Sequence, residues 1–100
     1  MPSGYSIRWL RTALKNLDDE VACIAKDNLY AARELVNRIL GLVDALVDHP
    51  VIGRPGRVPG TRELVITGTP YLVPYRVKGK NIEILRVFHG SRRLPSHFDH

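Results

Sequence analysis

The feature that most limits the possible folds of this chain is a long helical segment that is apolar on most of its sides. Across residues 29–47, apolar side chains recur at the three- and four-residue spacings of an α-helix, and further leucines and valines widen the stripe. We expect such a helix to be buried against both a second helix and a sheet. Asp27 or Asn28 can cap its start, and Pro50 ends it because the residue before a proline disfavours helical geometry.

The segment before it predicts a short strand followed by a first helix. Residues 5–9 alternate and are rich in β-forming side chains. The pattern then changes to spacings of four and three, which mark one apolar stripe along a helix. The two helices therefore form a hairpin. The residues of the first stripe are Leu10, Leu14, Leu17, Val21 and Ile24.

Three strands joined by two short turns follow a loop that is rich in proline and glycine. Short turns between consecutive strands predict an antiparallel meander. Pro74 conflicts with a regular middle strand, because proline cannot donate to a ladder, so that strand is broken, bulged or less central. The fold class is α+β: an N-terminal strand, a helical hairpin on one face of the sheet, and a three-stranded meander. The opposite face stays at least partly open and is the natural place for a site. The three strands are 61–66, 71–78 and 82–89.

Size and composition predict a single soluble domain over residues 1–100, with 91–100 as a flexible tail. The net charge of +5 favours an anionic partner, such as nucleic acid or an acidic protein. The one cysteine, Cys23, fits a reducing cytosol and is better explained as a structural thiol than as a nucleophile. We see no signal peptide and no apolar run near the roughly 18 residues of a membrane span, so we expect a cytoplasmic protein.

No pattern for a metal or cofactor is visible. The four histidines are scattered, the glycine-containing turns do not precede a helix as a phosphate loop does, and no catalytic triad follows from spacing. Arg54 and Arg57, on the stiff loop 50–60, can clamp a phosphate, but taken alone they are better explained as solubilising charges. The histidines are His49, His89, His97 and His100.

The remaining candidates are basic residues in and beside the strands. Alternation places Arg86 and His89 on opposite faces of the last strand, although strand twist or a bulge can bring them together. If they converge with Arg62 on RNA, the arginines stabilise the phosphorane charge and the histidine moves a proton. If they do not, Arg86 is a structural cation that pairs with Glu63 or Glu83 across the sheet.

The chain resembles the RelE/ParE superfamily of bacterial toxins from type II toxin–antitoxin modules. The resemblance rests on the order of elements and on the segments RVPGTRELVI, YLVPYRV and IEILRVFHGSRRLP, and it extends from Tyr5 to about Pro95. It implies a small toxin that arrests growth, serves persistence or plasmid maintenance, and is neutralised in a hetero-oligomer by a cognate antitoxin. It also implies contact with operator DNA only through that antitoxin.

Within this superfamily, ParE-like members poison DNA gyrase and RelE-like members cleave mRNA on the ribosome. The C-terminal block here lacks tyrosine, lysine is sparse before the second strand, and His-Gly followed by basic residues resembles the ParE side. The resemblance therefore favours a gyrase inhibitor that is not an enzyme. The basic residues assigned to target binding are Arg54, Arg57, Arg76, Arg92 and Arg93.

Two alternatives remain open. In the RelE-like alternative, Arg62 and Arg86 bind the scissile phosphate and His89 is the acid/base of an mRNA endoribonuclease. In the second, the chain keeps the fold of a toxin but has only a binding role.

Overall fold

The computed structural model describes residues 4–90, and within them two helices are followed by most of a mixed sheet. The helices are α1 (Arg11–Ala25) and α2 (Leu29–Asp44), and one turn of 3-10 helix (Ala45–Val47) continues α2. The α+β class and the predicted helical hairpin are confirmed. The strands are β1 (Ser6–Trp9), β2 (Arg54–Pro55), β3 (Arg62–Val65), β4 (Tyr71–Lys78), β5 (Asn81–Ile84) and β6 (Phe88–His89).

The start of α2 is fixed by a side-chain cap. Asn28 has extended backbone geometry, and its Oδ1 accepts a hydrogen bond from the backbone N–H of Ala31 at 3.0 Å. Such a cap stabilises a helix by about 1 kcal/mol because it satisfies one of the unpaired N–H groups of the first turn. Of the two residues predicted as possible caps, Asn28 is therefore the one that caps α2.

The strands form one sheet in the order β1-β5-β4-β3-β2. The predicted meander of β3, β4 and β5 is confirmed by antiparallel pairing along the chain. The N-terminal strand β1 pairs with β5 in parallel, and the backbone N–H of Leu10 continues that contact by donating to Ile84 at 3.1 Å. The sheet is therefore mixed, with β1 at one edge and the two-residue strand β2 at the other. Neither the position of β1 in the sheet nor the existence of β2 was predicted from the sequence.

The irregularity expected at Pro74 lies on the neighbouring strand instead. β4 is continuous through Pro74, whereas the predicted last strand is divided into β5 and β6. Tyr75 pairs with Ile84, and Tyr71 pairs with His89. The two positions on β4 are four residues apart, whereas their partners are five residues apart, so the partner strand contains a one-residue bulge. The carbonyl of Pro74 accepts a hydrogen bond from the backbone N–H of Leu85, which directly follows β5. In an antiparallel strand the N–H and C=O of one residue point to the same side, so the N–H that Pro74 lacks would also point to the gap between β5 and β6.

The core lies between the helices and one face of the sheet. Tyr75, Val73 and Ile39 have no exposed surface, and α1 contributes Ala13 and Leu17 to the same cluster. On the opposite face, alternation places Leu72 and Pro74 in the middle, where both are buried, while Val65 near the margin is 45% exposed. That face is therefore open only in part.

Candidate functional site

The loop between the 3-10 helix and β3 is held against the sheet by the hydroxyl group of Tyr75. The hydroxyl accepts a hydrogen bond from the backbone N–H of Gly53 at 2.9 Å and donates one to the carbonyl of Pro50 at 2.9 Å. Burial raises the pKa of Tyr75, while the N–H of Gly53 and the charge of Arg62 lower it in part. The phenol therefore keeps its proton, which the hydrogen bond to Pro50 requires.

Gly53 has to be glycine because the ring of Tyr75 lies directly against its backbone. A Cβ atom at this position would lie 2.6 Å from Cε1 and 2.7 Å from the hydroxyl oxygen of Tyr75. Contacts this short do not occur between real Cβ atoms and ring atoms, so any side chain would displace the ring or the loop.

Arg62 fixes the same segment from a second direction. Its Nη1 donates to the carbonyl of Gly53 at 2.9 Å and to the carbonyl of Val51 at 3.2 Å. The guanidinium group, which was a candidate for binding phosphate, is thus used to hold the backbone of the loop.

Glu63 connects the loop to the sheet through two further arginines. Its carboxylate is almost fully buried, with 3% of the side chain exposed, and Oε1 accepts from Nη2 of Arg54 at 3.1 Å. Oε2 accepts from the backbone N–H of Arg57 at 3.2 Å, and the side chain of Arg57 lies 3.6 Å away. The side chains of Arg54 and Arg57 remain 53% and 48% exposed. One buried carboxylate therefore faces two half-exposed cations.

Two aliphatic side chains project into solvent from this restrained loop. Val51 is 64% exposed and Ile52 is 60% exposed, although the backbone on either side is hydrogen-bonded to Tyr75 and Arg62. Neither residue is among the site residues predicted from the sequence. The available signal was a β-branched pair between Pro50 and Gly53, outside any periodic element.

The basic end of the last strand lies against α1. Arg86 borders a cleft of about 210 Å³ whose polar walls include Asn16, Asp19 and Glu20. Its Nη1 donates to the carbonyl of Leu85 at 2.6 Å.

His89 belongs to the same region. Its ring contacts Tyr71 edge-on, with centroids 5.4 Å apart, and the Tyr71 hydroxyl donates to Glu20 at 2.9 Å. The bulge puts His89 beside Tyr71 on the core face, whereas Arg86 lies in the irregular segment 85–87 between β5 and β6, where strand alternation no longer defines a face.

Arg62 lies away from these two residues. It pairs with Tyr75 on one side of β4, whereas His89 pairs with Tyr71 on the other side. The backbones of Arg62 and His89 are four residues apart along the strand direction, which is about 13 Å, and two strand spacings apart across the sheet, which is about 10 Å. The three residues of the RNase hypothesis are therefore divided between two corners of the sheet.

The other predicted contact residues have separate positions. Arg76 pairs with Glu83 across β4 and β5, with 22% of its side chain exposed. Glu83 and Glu63, the predicted alternative partners of Arg86, thus form ion pairs with Arg76 and with Arg54 and Arg57. Arg92 and Arg93 lie outside the described residues, as does the predicted tail 91–100.

Within residues 4–90, no group of three or more histidine, cysteine or carboxylate side chains is placed to hold a metal ion. No helix in that range is long and apolar enough to cross a membrane.

Comparison with known proteins assigns the family. Residues 7–94 match the family model described as "ParE toxin of type II toxin-antitoxin system, parDE". The chain therefore belongs to the ParE toxin family, and the predicted relation to the RelE/ParE superfamily is confirmed.

Individual relatives agree with this assignment. "Putative toxin Y4kP" of Sinorhizobium fredii is 47% identical over 93 residues, which cover 93% of this chain and 96% of the relative. A solved chromosomal ParDE toxin–antitoxin system of P. aeruginosa is 34% identical with a TM-score of 0.78, covering 87% of this chain and 97% of that one. The RelBE2 toxin–antitoxin complex of Mycobacterium tuberculosis is 28% identical with a TM-score of 0.58, covering 89% and 99%.

Proposed function

We propose that this ParE-family toxin arrests growth in the cytoplasm by inhibiting DNA gyrase, and that a cognate antitoxin neutralises it. The observation that carries the proposal is the match of residues 7–94 to the ParE toxin model. The structural similarity points the same way, because the TM-score is 0.78 to the ParDE system and 0.58 to the RelBE2 complex. ParE-like toxins, as the sequence resemblance implied, act on gyrase.

The hydrogen bonds and ion pairs that two of the strand arginines make within the toxin favour a protein target over RNA. Arg62 donates to loop carbonyls, and Arg76 is paired with Glu83. A phosphate-cleaving site needs several cations and an acid/base around one phosphate, because the phosphorane charge is stabilised only by donors within hydrogen-bond reach. The separation of Arg62 from His89 argues against such a site built from these residues.

One arrangement favours the RelE-like alternative. Arg86 borders the cleft that also includes Glu20, and His89 contacts Tyr71, whose hydroxyl donates to Glu20. An arginine and a histidine in one region are the minimum for binding a phosphate and moving a proton. An mRNA endoribonuclease without Arg62 is therefore the second candidate.

The surface of α2 supports an antitoxin partner. Leu29 and Tyr30, at the start of the helix, are 65% and 73% exposed. A cleft of about 370 Å³ separates Tyr30 from Thr69, and a second cleft of about 250 Å³ lies between Leu29 and Val21. We define Leu29 and Tyr30 as the α2 entry surface. An antitoxin segment that carries apolar and acidic side chains would bury these residues and offset the net charge of +5.

The mechanism is tested by two assays on the same purified protein. In the first, mRNA cleavage on programmed ribosomes is compared between wild type and His89→Ala. In the second, inhibition of supercoiling by purified gyrase is measured for the same two proteins. We expect intact mRNA and equal inhibition of gyrase by both. Cleavage within the A-site codon that His89→Ala abolishes would establish the RNase alternative. A wild-type protein that arrests no growth when expressed alone would favour the binding-only alternative.

A further inference from the structure

We propose that Val51 and Ile52, with Arg54 and Arg57 beside them, form the surface that docks the protein target of the toxin. These four residues are called the loop-tip patch. The partner is an acidic protein surface with an apolar recess, which is gyrase if the proposed function holds. The inference thus rests on the proposed function for the identity of the target, and on the loop itself for the location of the contact.

The backbone around Val51 and Ile52 is already hydrogen-bonded to other groups of the toxin. Tyr75 bonds the carbonyl of Pro50 and the N–H of Gly53, and Arg62 bonds the carbonyls of Val51 and Gly53. The N–H of Ile52 donates to His49 at 3.1 Å. A loop held in this way loses little conformational entropy when a partner binds, so most of the contact energy of its exposed side chains contributes to affinity.

The two aliphatic side chains have no role in the fold that would explain their position. Val51 and Ile52 are 64% and 60% exposed and adjacent in sequence, whereas single exposed apolar residues are common and need no explanation. Of their backbone groups, the carbonyl of Val51 accepts from Arg62 and the N–H of Ile52 donates to the carbonyl of His49. Two neighbouring aliphatics on a restrained loop are suited to filling a recess on another protein.

Charge defines the chemistry of the partner. Glu63 is buried beneath the loop, and only its partners Arg54 and Arg57 are substantially exposed at the surface. Residues 51–57 carry these two arginines and no acidic residue, and the one carboxylate that both face is buried, so the exposed charge of the loop-tip patch is positive. Acidic residues around a recess would complement it and speed the encounter.

The same composition distinguishes a protein from a nucleic acid. Proteins that bind single strands stack bases on exposed aromatic rings, and the aromatic ring in this region, Tyr75, is fully buried. Valine and isoleucine offer neither stacking nor hydrogen bonds to bases.

The loop-tip patch is also separate from the surface assigned to the antitoxin. The α2 entry surface lies at the start of α2, and the patch follows the end of that helix. The 16 residues of α2 span about 24 Å, so the two surfaces lie at opposite ends of the helix. The clefts beside α2 suit an extended or helical segment, whereas the restrained loop suits a folded target.

The test replaces both aliphatic side chains with serine, as Val51→Ser combined with Ile52→Ser. The matched control is Val65→Ser, which removes an aliphatic side chain that is 45% exposed on β3. Each protein is assayed for thermal unfolding, for binding to the purified neighbouring antitoxin, for growth arrest on induction, and for inhibition of purified gyrase holoenzyme. Ile52→Ala serves as a milder variant if the double variant unfolds.

We expect the double variant to fold and to bind antitoxin within about twofold of wild type, but to lose at least roughly tenfold in inhibition of gyrase and to arrest growth weakly. Val65→Ser should behave as wild type. Arg57→Glu should also weaken inhibition, because it reverses one charge of the loop-tip patch.

Two results would overturn the inference: full toxicity of the folded double variant, or a loss of antitoxin binding that parallels the loss of toxicity. Failure of the proposed function gives a different pattern. If the wild type arrests growth without inhibiting gyrase, and the double variant arrests growth no longer while binding antitoxin normally, the loop-tip patch docks another protein target. Cleavage of ribosome-bound mRNA by both proteins at equal rates would count against the patch.

Discussion

The hydroxyl oxygen of Tyr75 lies 2.9 Å from the backbone nitrogen of Gly53, which is 22 residues earlier in the chain. Through this contact the central strand of the sheet positions a surface loop. The loop carries the two most prominent features of that corner of the molecule, an exposed aliphatic pair and two half-exposed arginines. The structure therefore joins a fully buried phenol to a surface that we assign to the target.

Replacing Tyr75 with phenylalanine should destabilise the fold. The variant keeps the ring but leaves the N–H of Gly53 and the carbonyl of Pro50 without their partner. An unsatisfied buried polar group costs about 1–3 kcal/mol, so we expect the free energy of unfolding to fall by about that amount. Urea denaturation measures it. Tyr30→Phe is the control, because Tyr30 is 73% exposed and removing its hydroxyl group should change the free energy of unfolding little. Equal stability of both variants would contradict the role of Tyr75.

The same residue predicts a pH dependence in alkaline solution. Burial raises the pKa of Tyr75 above its ordinary value of 10.0, so the unfolded chain loses this proton at a lower pH than the folded one. The stabilisation from this group is complete below pH 10 and is lost as the pH rises through the folded pKa. Urea midpoints at pH 9, 10 and 11 should decline more steeply in wild type than in Tyr75→Phe. If the urea midpoints of both proteins decline equally with pH, the pKa of Tyr75 is the same in the folded and unfolded states.

Gly53→Ala tests the close approach of the loop to the ring. The new methyl group would lie 2.6 Å from a ring carbon of Tyr75, so the loop or the ring must shift. Overpacking of this kind costs about 1–3 kcal/mol. We expect lower stability and weaker inhibition of the target. Gly41→Ala is the control, because a Cβ atom there meets no atom within 4 Å. In a helix interior that change should leave stability equal or higher.

Much of the fold could be predicted because local patterns determined it. The apolar period of the helices and the short turns between strands each depend on a few neighbouring residues. The parallel pairing of β1 with β5 could not be predicted, because it joins strands whose paired residues are 75 positions apart and carry no pairing signal. The bulge was misplaced for a related reason. Pro74 shows that one ladder bond is missing, but not which of the two strands adjusts to it.

The candidate site was harder to predict than the fold. Charged residue types indicated Arg54, Arg57 and Arg62, but charge alone does not show that Arg62 donates to carbonyls or that Glu63 is buried between cations. These contacts depend on where the loop returns to the sheet. Ile52 was missed because an aliphatic residue is assumed to be buried unless a structure shows it exposed.

Glu63→Gln should destabilise the loop more than loss of a surface ion pair does. The amide would place a donor group opposite either Arg54 or the N–H of Arg57, in a side chain that is only 3% exposed. We expect a loss of about 1–3 kcal/mol, mostly from the unsatisfied donor, because the half-exposed arginines are screened by solvent. The control is Asp19→Asn, which breaks the exposed pair with Lys15 and should cost about 0.3–0.5 kcal/mol. Similar losses in both variants would show that Glu63 acts only as a surface charge.

Substitutions in the α2 entry surface should weaken antitoxin binding and leave toxicity unchanged, which is the opposite of what we expect for the loop-tip patch. Leu29→Ser combined with Tyr30→Ser removes the two most exposed large apolar side chains described in the chain. Because such residues contribute most when a partner buries them, we expect antitoxin affinity to fall roughly tenfold or more. Growth arrest by the toxin alone should be unchanged. Titration of the purified variant with the neighbouring gene product measures the affinity, with Val65→Ser as the matched control. Unchanged antitoxin affinity would place the antitoxin on another surface, and loss of toxicity would show that the target also contacts α2.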